Sequence, residues 1–250
     1  MIMSVQGVSF DYPGNEVLKD ISFSLNRGEC LAILGTNGAG KSTLLKCINR
    51  ILKLKVGKIE FDREDIKNIS QTKLAQKVGY VSQQNKNVRT TVFDSVLIGR
   101  RPYIKWDATE KDIRIVDKVI KMMNLQKYAL RYTDELSGGE YQKVVIARAL
   151  AQEPDVLMFD EPTSNLDLKN QLEVVDIIRN VVKKNNISAV VTIHDLNMAL
   201  RFADSYILLK DGNIFDLGGI EVINSKNIKE VYSVDVSVEK VKNNLTVVPI

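Results

Sequence analysis

Residues 35–43 read GTNGAGKST, and they restrict what this chain can fold into more than any other stretch does. An apolar run, Leu31 to Leu34, precedes them, and a helical pattern of Leu44, Leu45, Ile48, Ile51 and Leu52 follows. Strand, glycine loop and helix, with G-x-x-x-x-G-K-[ST] spacing, predict a phosphate-binding P-loop. Glycines at positions 35, 38 and 40 let the loop curl until several backbone N–H groups face one anion. The helix N-terminus adds partial positive charge, and Lys41 brings a full one toward β- and γ-phosphates. Ser42 offers a hydroxyl to a magnesium ion bridging those phosphates. The expectation is one ATP site in an α/β domain.

At 250 residues the chain is long enough for one large domain, with or without a subdomain. A net charge of +4 with no run of five basic residues gives no reason to expect nucleic acid. Cys30 and Cys47 sit in apolar contexts without histidines nearby, which predicts buried thiols and neither a disulfide nor a metal site. Met1 to Phe10 alternates like a strand and does not read as a signal peptide. No apolar run approaches the length of about 18 residues that a membrane span needs, so any membrane role is expected to come through a partner.

Along the chain, Met1 to Leu25 reads as β structure around a Pro13-Gly14-Asn15 turn, with Tyr12 at its tip. An aromatic there either stacks on a nucleotide base or covers the sheet edge, and the residues alone leave both open. Gly57 to Asp62 and Val78 to Ser82 read as further strands, the second running into Gln83-Gln84. From Asn85 to about Gln152 the period becomes helical. Thr91-x-x-Asp94 opens one helix, Ile115 to Met123 marks a second and Val144 to Leu150 a third. Trp106 and Arg100-Arg101-Pro102 fall in a connection, where loop packing is the default role. Val156 to Phe159 is continuously apolar, as a parallel strand covered on both faces should be. A helix through Leu172, Val175 and Ile178, a strand from Ile187 to Ile193, a short helix and a hairpin turning at Asp211-Gly212 follow. The tail from Ile220 is weakly patterned.

In an open parallel sheet, ligands bind beyond the carboxyl ends of the strands. The P-loop, Gln83, Asp160-Glu161 and His194 each follow a predicted strand and are expected to converge. Asp160 suits a magnesium ion, and Glu161 beside it suits the activation of water for hydrolysis. Leu136-Ser137-Gly138-Gly139-Glu140 contains a capping box, Ser137-x-x-Glu140. Two glycines in a first helical turn cost about 1 kcal/mol each relative to alanine, so bare N–H groups for a close-approaching anion are the expected reason for them.

GTNGAGKST, LSGGE, the VLMFDEP strand, Ser164-Asn165-Leu166-Asp167 and a lone histidine after a strand together resemble the ATP-binding cassette (ABC) ATPases. The motifs stand in that family's order over Met1 to about Gly218. The resemblance implies an α/β fold, a P-loop NTPase (RecA-like) core with an N-terminal antiparallel β subdomain and an inserted α-helical subdomain. The core would comprise 1–84 and 153–250, and the helical subdomain 85–152. It implies that Tyr12 stacks on adenine and that Gly35, Thr36, Asn37, Gly38, Ala39, Gly40, Lys41, Ser42 and Thr43 form the Walker A loop around ATP. Gln83 would be the Q-loop glutamine at Mg2+, which Ser42 and Asp160 also hold. Ser137, Gly138, Gly139 and Glu140 would form the signature that meets the γ-phosphate bound by a second cassette. Glu161 would be the catalytic base, Asp167 the D-loop aspartate and His194 the switch histidine. Thr36 stands where the family often has proline, Glu140 where glutamine is common, and Tyr141 and Lys143 where arginines are frequent.

The function so implied is an importer's ATPase subunit: a homodimer of cassettes at the cytoplasmic face of the membrane. Its partners would be transmembrane permease subunits and, indirectly, an extracytoplasmic substrate-binding protein, with no nucleic acid. Leu97-Ile98-Gly99-Arg100-Arg101-Pro102 and Ala199-Leu200-Arg201-Phe202-Ala203-Asp204 look like the branch serving ferric siderophores, haem and cobalamin. A zinc or manganese importer, an exporter and a soluble ABC protein without a transport role are the alternatives.

Overall fold

In a computed structural model, residues 1–83, 89–242 and 244–250 are described. Gln84 and the expected subdomain boundary at Asn85 lie outside the described residues. The chain divides into two compact units, Met1–Ile69 with Val175–Ile250, and Ser70–Val174.

The first unit opens with β1 (Met3–Tyr12) and β2 (Asn15–Leu25), an antiparallel hairpin with Tyr12 paired to Asn15 at its tip. Alternation, shifted in phase by irregularities of the pairing between Val5 and Val8 and between Val8 and Phe10, puts Val5, Val8, Phe10, Leu18, Ile21 and Leu25 inside. β3 (Cys30–Leu34), buried at every position, runs into the glycine loop and α1 (Lys41–Ile48). β4 (Val56–Phe61) and β5 (Glu64–Asp65) then complete an antiparallel sheet of order β2-β1-β4-β5.

The second unit begins at α2 (Gln71–Lys77), capped by Ser70, whose Oγ accepts from the Lys73 N–H at 3.2 Å. Hydrophobic periodicity does not announce this helix, because Leu74 is its only buried residue. β6 (Val78–Val81) follows, then α3 (Val92–Leu97), α4 (Glu110–Met122), α5 (Gly138–Leu150) and β7 (Val156–Asp160). β6 and β7 pair in parallel, from Val78 with Val156 to Val81 with Phe159. The first helix of the sequence reading is capped as expected, Thr91 Oγ1 accepting from the Asp94 N–H at 3.1 Å.

Loop packing fails as an account of Trp106, which is 93% exposed. Arg100 is the opposite case, at 1% exposure. Its Nε donates to Asp112 Oδ1 (2.9 Å) and its Nη1 to Ala151 O (2.8 Å) and Glu153 Oε2 (3.0 Å). The guanidinium also lies 4.0 Å from the Tyr103 ring centroid. Asp112 is at once the fourth member of the α4 capping box, accepting from Thr109 Oγ1 at 2.6 Å and the Thr109 N–H at 3.0 Å.

α6 (Leu168–Asn185) carries the chain back to the first unit. There β8 (Ser188–Thr192), α7 (Leu196–Ala199), β9 (Ser205–Lys210) and β10 (Asn213–Gly218) form as the periodicity predicts. β3 lies between β8 and β9, parallel to both, and β10 pairs antiparallel with β9. The weakly patterned tail folds into α8 (Ser225–Tyr232) and a hairpin of β11 (Val236–Val241) with β12 (Asn244–Pro249). One side chain fastens the hairpin: Asn197 Nδ2 donates to Val247 O at 3.1 Å and its Oδ1 accepts from the Val247 N–H at 2.8 Å. Cys30 and Cys47 are buried free thiols, as expected.

The Thr109 hydroxyl, then the Thr109 N–H and Arg100, hold the Asp112 carboxyl down to about 2. Its stabilisation is therefore complete above about pH 4 and is lost as the pH falls toward about 2. Asp112→Asn should cost about 3 kcal/mol at neutral pH, because it leaves Arg100 buried and short of a carboxylate. In urea unfolding at pH 7 and pH 3, the gap to the parent should narrow at the acid end.

Candidate functional site

In the first unit the glycine loop leaves β3 and wraps into α1 through left-handed backbone at Gly35 (φ 150°), Gly38 (φ 83°) and Gly40 (φ 101°). A Cβ on Gly35 would lie 2.3 Å from the Leu209 carbonyl oxygen, whereas one on Gly38 would meet nothing within 4 Å. Gly35 is thus required by the fold, and Gly38 leaves open space in the middle of the loop. Gly40 caps α1 with no side-chain hydrogen bond, at the helix end whose partial positive charge suits an anion. Lys41 is buried at 4% exposure, its Nζ donating to Gly35 O (2.9 Å) and Thr36 O (3.1 Å).

Because β8 runs parallel to β3, its carboxyl end delivers His194 to the same edge. His194 Nδ1 lies 3.5 Å from Lys41 Nζ. The residue from the far end of the sequence thus meets the P-loop. Thr36 and Asn37 are exposed, Ala39 and Thr43 are buried and Ser42 is half-buried in the first turn of α1. Tyr12 packs edge-on against Phe10, with centroids 5.0 Å apart, and keeps 39% exposure. Sequence reasoning missed Tyr232, at the end of α8. Its buried hydroxyl stands beside the Gly35 N–H yet makes no hydrogen bond of good geometry among the described residues. Burial pushes it up to about 12, against a smaller opposite pull from that N–H.

In the second unit the parallel pair β6 and β7 brings Gln83 to the end of β7. Gln83 Nε2 donates to Glu161 Oε2 at 2.6 Å, and Ser164 Oγ donates to the same oxygen at 3.2 Å. Glu161 is buried and turns the chain off the strand at φ 50°, a conformation that costs a non-glycine residue about 1–2 kcal/mol. Asp160 Oδ2 accepts from Tyr80 Oη at 3.2 Å. Burial, and next the charge of Asp160, raise the Tyr80 pKa. Among the described residues no group of three or more His, Cys, Asp or Glu is placed to hold a metal. A carboxylate such as Asp160 suits magnesium held mainly by phosphate oxygens and water.

Ser137 and Glu140 form the expected capping box of α5. Glu140 Oε2 accepts from the Ser137 N–H (3.0 Å) and Oγ (2.8 Å). Hydrogen bonds from Tyr128 first, then from Ser137, hold Glu140 down to about 2, so it is a carboxylate at any ordinary pH. The two glycines of the motif have different reasons to be glycine. Gly138 is exposed, and a Cβ there would come no closer than 3.8 Å to Leu166. Gly139 is buried, and a Cβ would lie 2.2 Å from Asn170 Oδ1. Anion access alone therefore does not explain the pair. Asp167 Oδ1 accepts from the Asn170 N–H at 2.8 Å and so caps α6.

The protein-family model for ABC transporters matches residues 18–164. An uncharacterized ABC transporter ATP-binding protein of Methanocaldococcus jannaschii is 58% identical over 100% of this chain and 98% of its own. The petrobactin import ATP-binding protein of Bacillus subtilis is 34% identical over 97% of each chain. The phosphonates import ATP-binding protein of Nitratidesulfovibrio vulgaris is 38% identical over 88% of this chain and 86% of its own. A solved structure assigned to the metal-chelate type of ABC transporter, in an inward-facing conformation, superposes with a TM-score of 0.86. It is 30% identical and the match covers 100% of this chain and 96% of that one.

The loop geometry separates two substitutions of the same chemistry. Gly35→Ala drives a Cβ against an immovable backbone carbonyl and should cost about 3 kcal/mol. Gly38→Ala carries only the strain of its φ, about 1 kcal/mol, and should fold. Thermal melting of the two variants beside the parent checks the order.

Proposed function

The chain belongs to the ABC transporter family as one of its ATP-binding cassettes, an ATPase, and on that premise we propose that it drives an importer for a metal chelate. The observation that carries the ATPase reading is the meeting of Lys41 and His194 at 3.5 Å beside a glycine loop with room for phosphate. For the cargo, support comes from the likeness to the metal-chelate type structure and the petrobactin import protein. The LIGRRP and ALRFAD stretches point the same way. The likeness to the phosphonates import protein favours a second reading, with a phosphonate as cargo.

In the proposed mechanism, Tyr12 stacks on adenine and the backbone of residues 35–43 holds the phosphates of ATP. Ser42, Gln83 and Asp160 would hold Mg2+, which when bound supplies charge neutralisation on those phosphates. Glu161 takes the proton from the attacking water, a role that contributes roughly 10²- to 10⁴-fold. Lys41 and His194 stabilise the charge developing at the γ-phosphate. Gln83 donates to one oxygen of Glu161 and so helps to orient the carboxylate. Ser137 and the exposed N–H of Gly138 serve the ATP held by a second copy, which makes the working unit a homodimer, and Asp167 belongs to the same interface. Among the described residues no helix is long and apolar enough to cross a membrane. Transport would therefore run through separate permease subunits, with this chain at the cytoplasmic face and a substrate-binding protein outside.

Glu161→Gln should bind ATP, hydrolyse it at least about 100-fold more slowly and accumulate as an ATP-bound dimer in size-exclusion chromatography. Normal turnover would remove the base assignment. With the cognate permease, uptake of a ferric chelate should depend on the parent chain and stop with Glu161→Gln. Uptake of a phosphonate in its place would establish the second reading.

Ser137→Arg should leave ATP affinity at the Lys41 loop intact and abolish hydrolysis. Surviving turnover would mean that the site is not shared between two copies.

A further inference from the structure

We propose that Tyr80 is a positioning residue for Asp160, restricting the plane of its carboxylate. This rests on the reading of Asp160 as a metal-holding group. The register makes the case. Tyr80 stands opposite Met158 in the parallel pair of β6 and β7. Met158 and Asp160 are two residues apart, so they share one face of β7, separated by about 6.6 Å. A tyrosine laid along that face from the Met158 level is about the right length to reach Asp160. Its Oη does so, donating to Oδ2 at 3.2 Å. Serine, threonine or asparagine at the same register would fall short, and phenylalanine would fill the space without the bond.

The side chain is also placed for this task and for little else. Tyr80 is only half-buried, whereas Val78, Gly79 and Val81 of the same strand are buried. An apolar residue would meet the packing need, so the hydroxyl calls for a separate reason. Aspartate χ2 is a soft, roughly two-fold torsion, and a carboxylate without a fixed donor samples a wide range of planes. A donor on one oxygen restricts that range, as partners behind metal ligands commonly do. Glu161, the neighbouring carboxylate, is held by a different set, Gln83 and Ser164.

The test compares Tyr80→Phe with Asp160→Asn and the parent in the full-length chain. Binding of a fluorescent ATP analogue is measured in EDTA and in Mg2+, Mn2+ binding in the presence of ATP is followed by electron paramagnetic resonance, and ATPase rate is titrated with Mg2+. For Tyr80→Phe, affinity in EDTA should match the parent, Mn2+ affinity should fall about tenfold and the half-maximal Mg2+ concentration should rise by about the same factor. Asp160→Asn should move in the same direction and further. If Asp160→Asn shifts while Tyr80→Phe keeps the parent's metal dependence, the positioning role is overturned and the metal reading stands. A lowered melting temperature with unchanged metal dependence counts against it equally, since that is what a purely structural hydroxyl would give. If neither variant shifts, the metal reading of Asp160 falls and takes this inference with it.

Discussion

Removing a lysine ammonium from water is the constraint on which the first unit is built. A buried charge costs several kcal/mol unless polar groups converge on it. For Lys41 the carbonyls of Gly35 and Thr36 do so, and they can turn inward only if the loop wraps tightly. Tight wrapping requires left-handed backbone at three positions, which is why glycine stands at each. The loop in turn needs a rigid base, and β3 provides one by ending fully buried between two parallel neighbours. The same parallel pairing sets His194 beside the ammonium. Loop, strand order and histidine are consequences of one electrostatic requirement, and a polyphosphate is the counter-charge that the arrangement suits.

The second unit solves a different problem, that of keeping two adjacent carboxylates from acting as one. β7 ends at Asp160. Glu161 then leaves the strand altogether at φ 50°. Donors from separate parts of the unit complete the separation, Tyr80 on one carboxylate and Gln83 with Ser164 on the other. Such a pair can divide metal holding from water activation, where two equivalent carboxylates would share both.

Most of this was legible from residue order because the site lies at strand ends, and strand ends are marked by the switch from an apolar run to a polar residue. Gln83, Asp160 and His194 all carry that mark. What escaped the sequence has physical reasons. Tyr80 reads as one more apolar member of a strand, and only register reveals where its hydroxyl goes. Gly139 reads as an anion-binding glycine, and the Asn170 side chain that crowds it lies on another helix. α2 buries a single leucine, and the tail buries its apolar residues one or two at a time, in segments too short for a period to emerge. Arg100 looked like a loop cation, since no local pattern foretells that Asp112, Ala151 and Glu153 will enclose it.

The clamp at Asn197 bears on how chains of this kind diversify. A primary amide that exchanges both of its hydrogen bonds with one residue's backbone reads no side chain on the strand it holds. Any extended segment presenting an N–H and a C=O at that point would be retained. Apart from its buried Val236 and Val247, the C-terminal hairpin is therefore free to drift in sequence without disturbing the helix that begins two residues after His194. An evolutionary module boundary can be as small as a single asparagine.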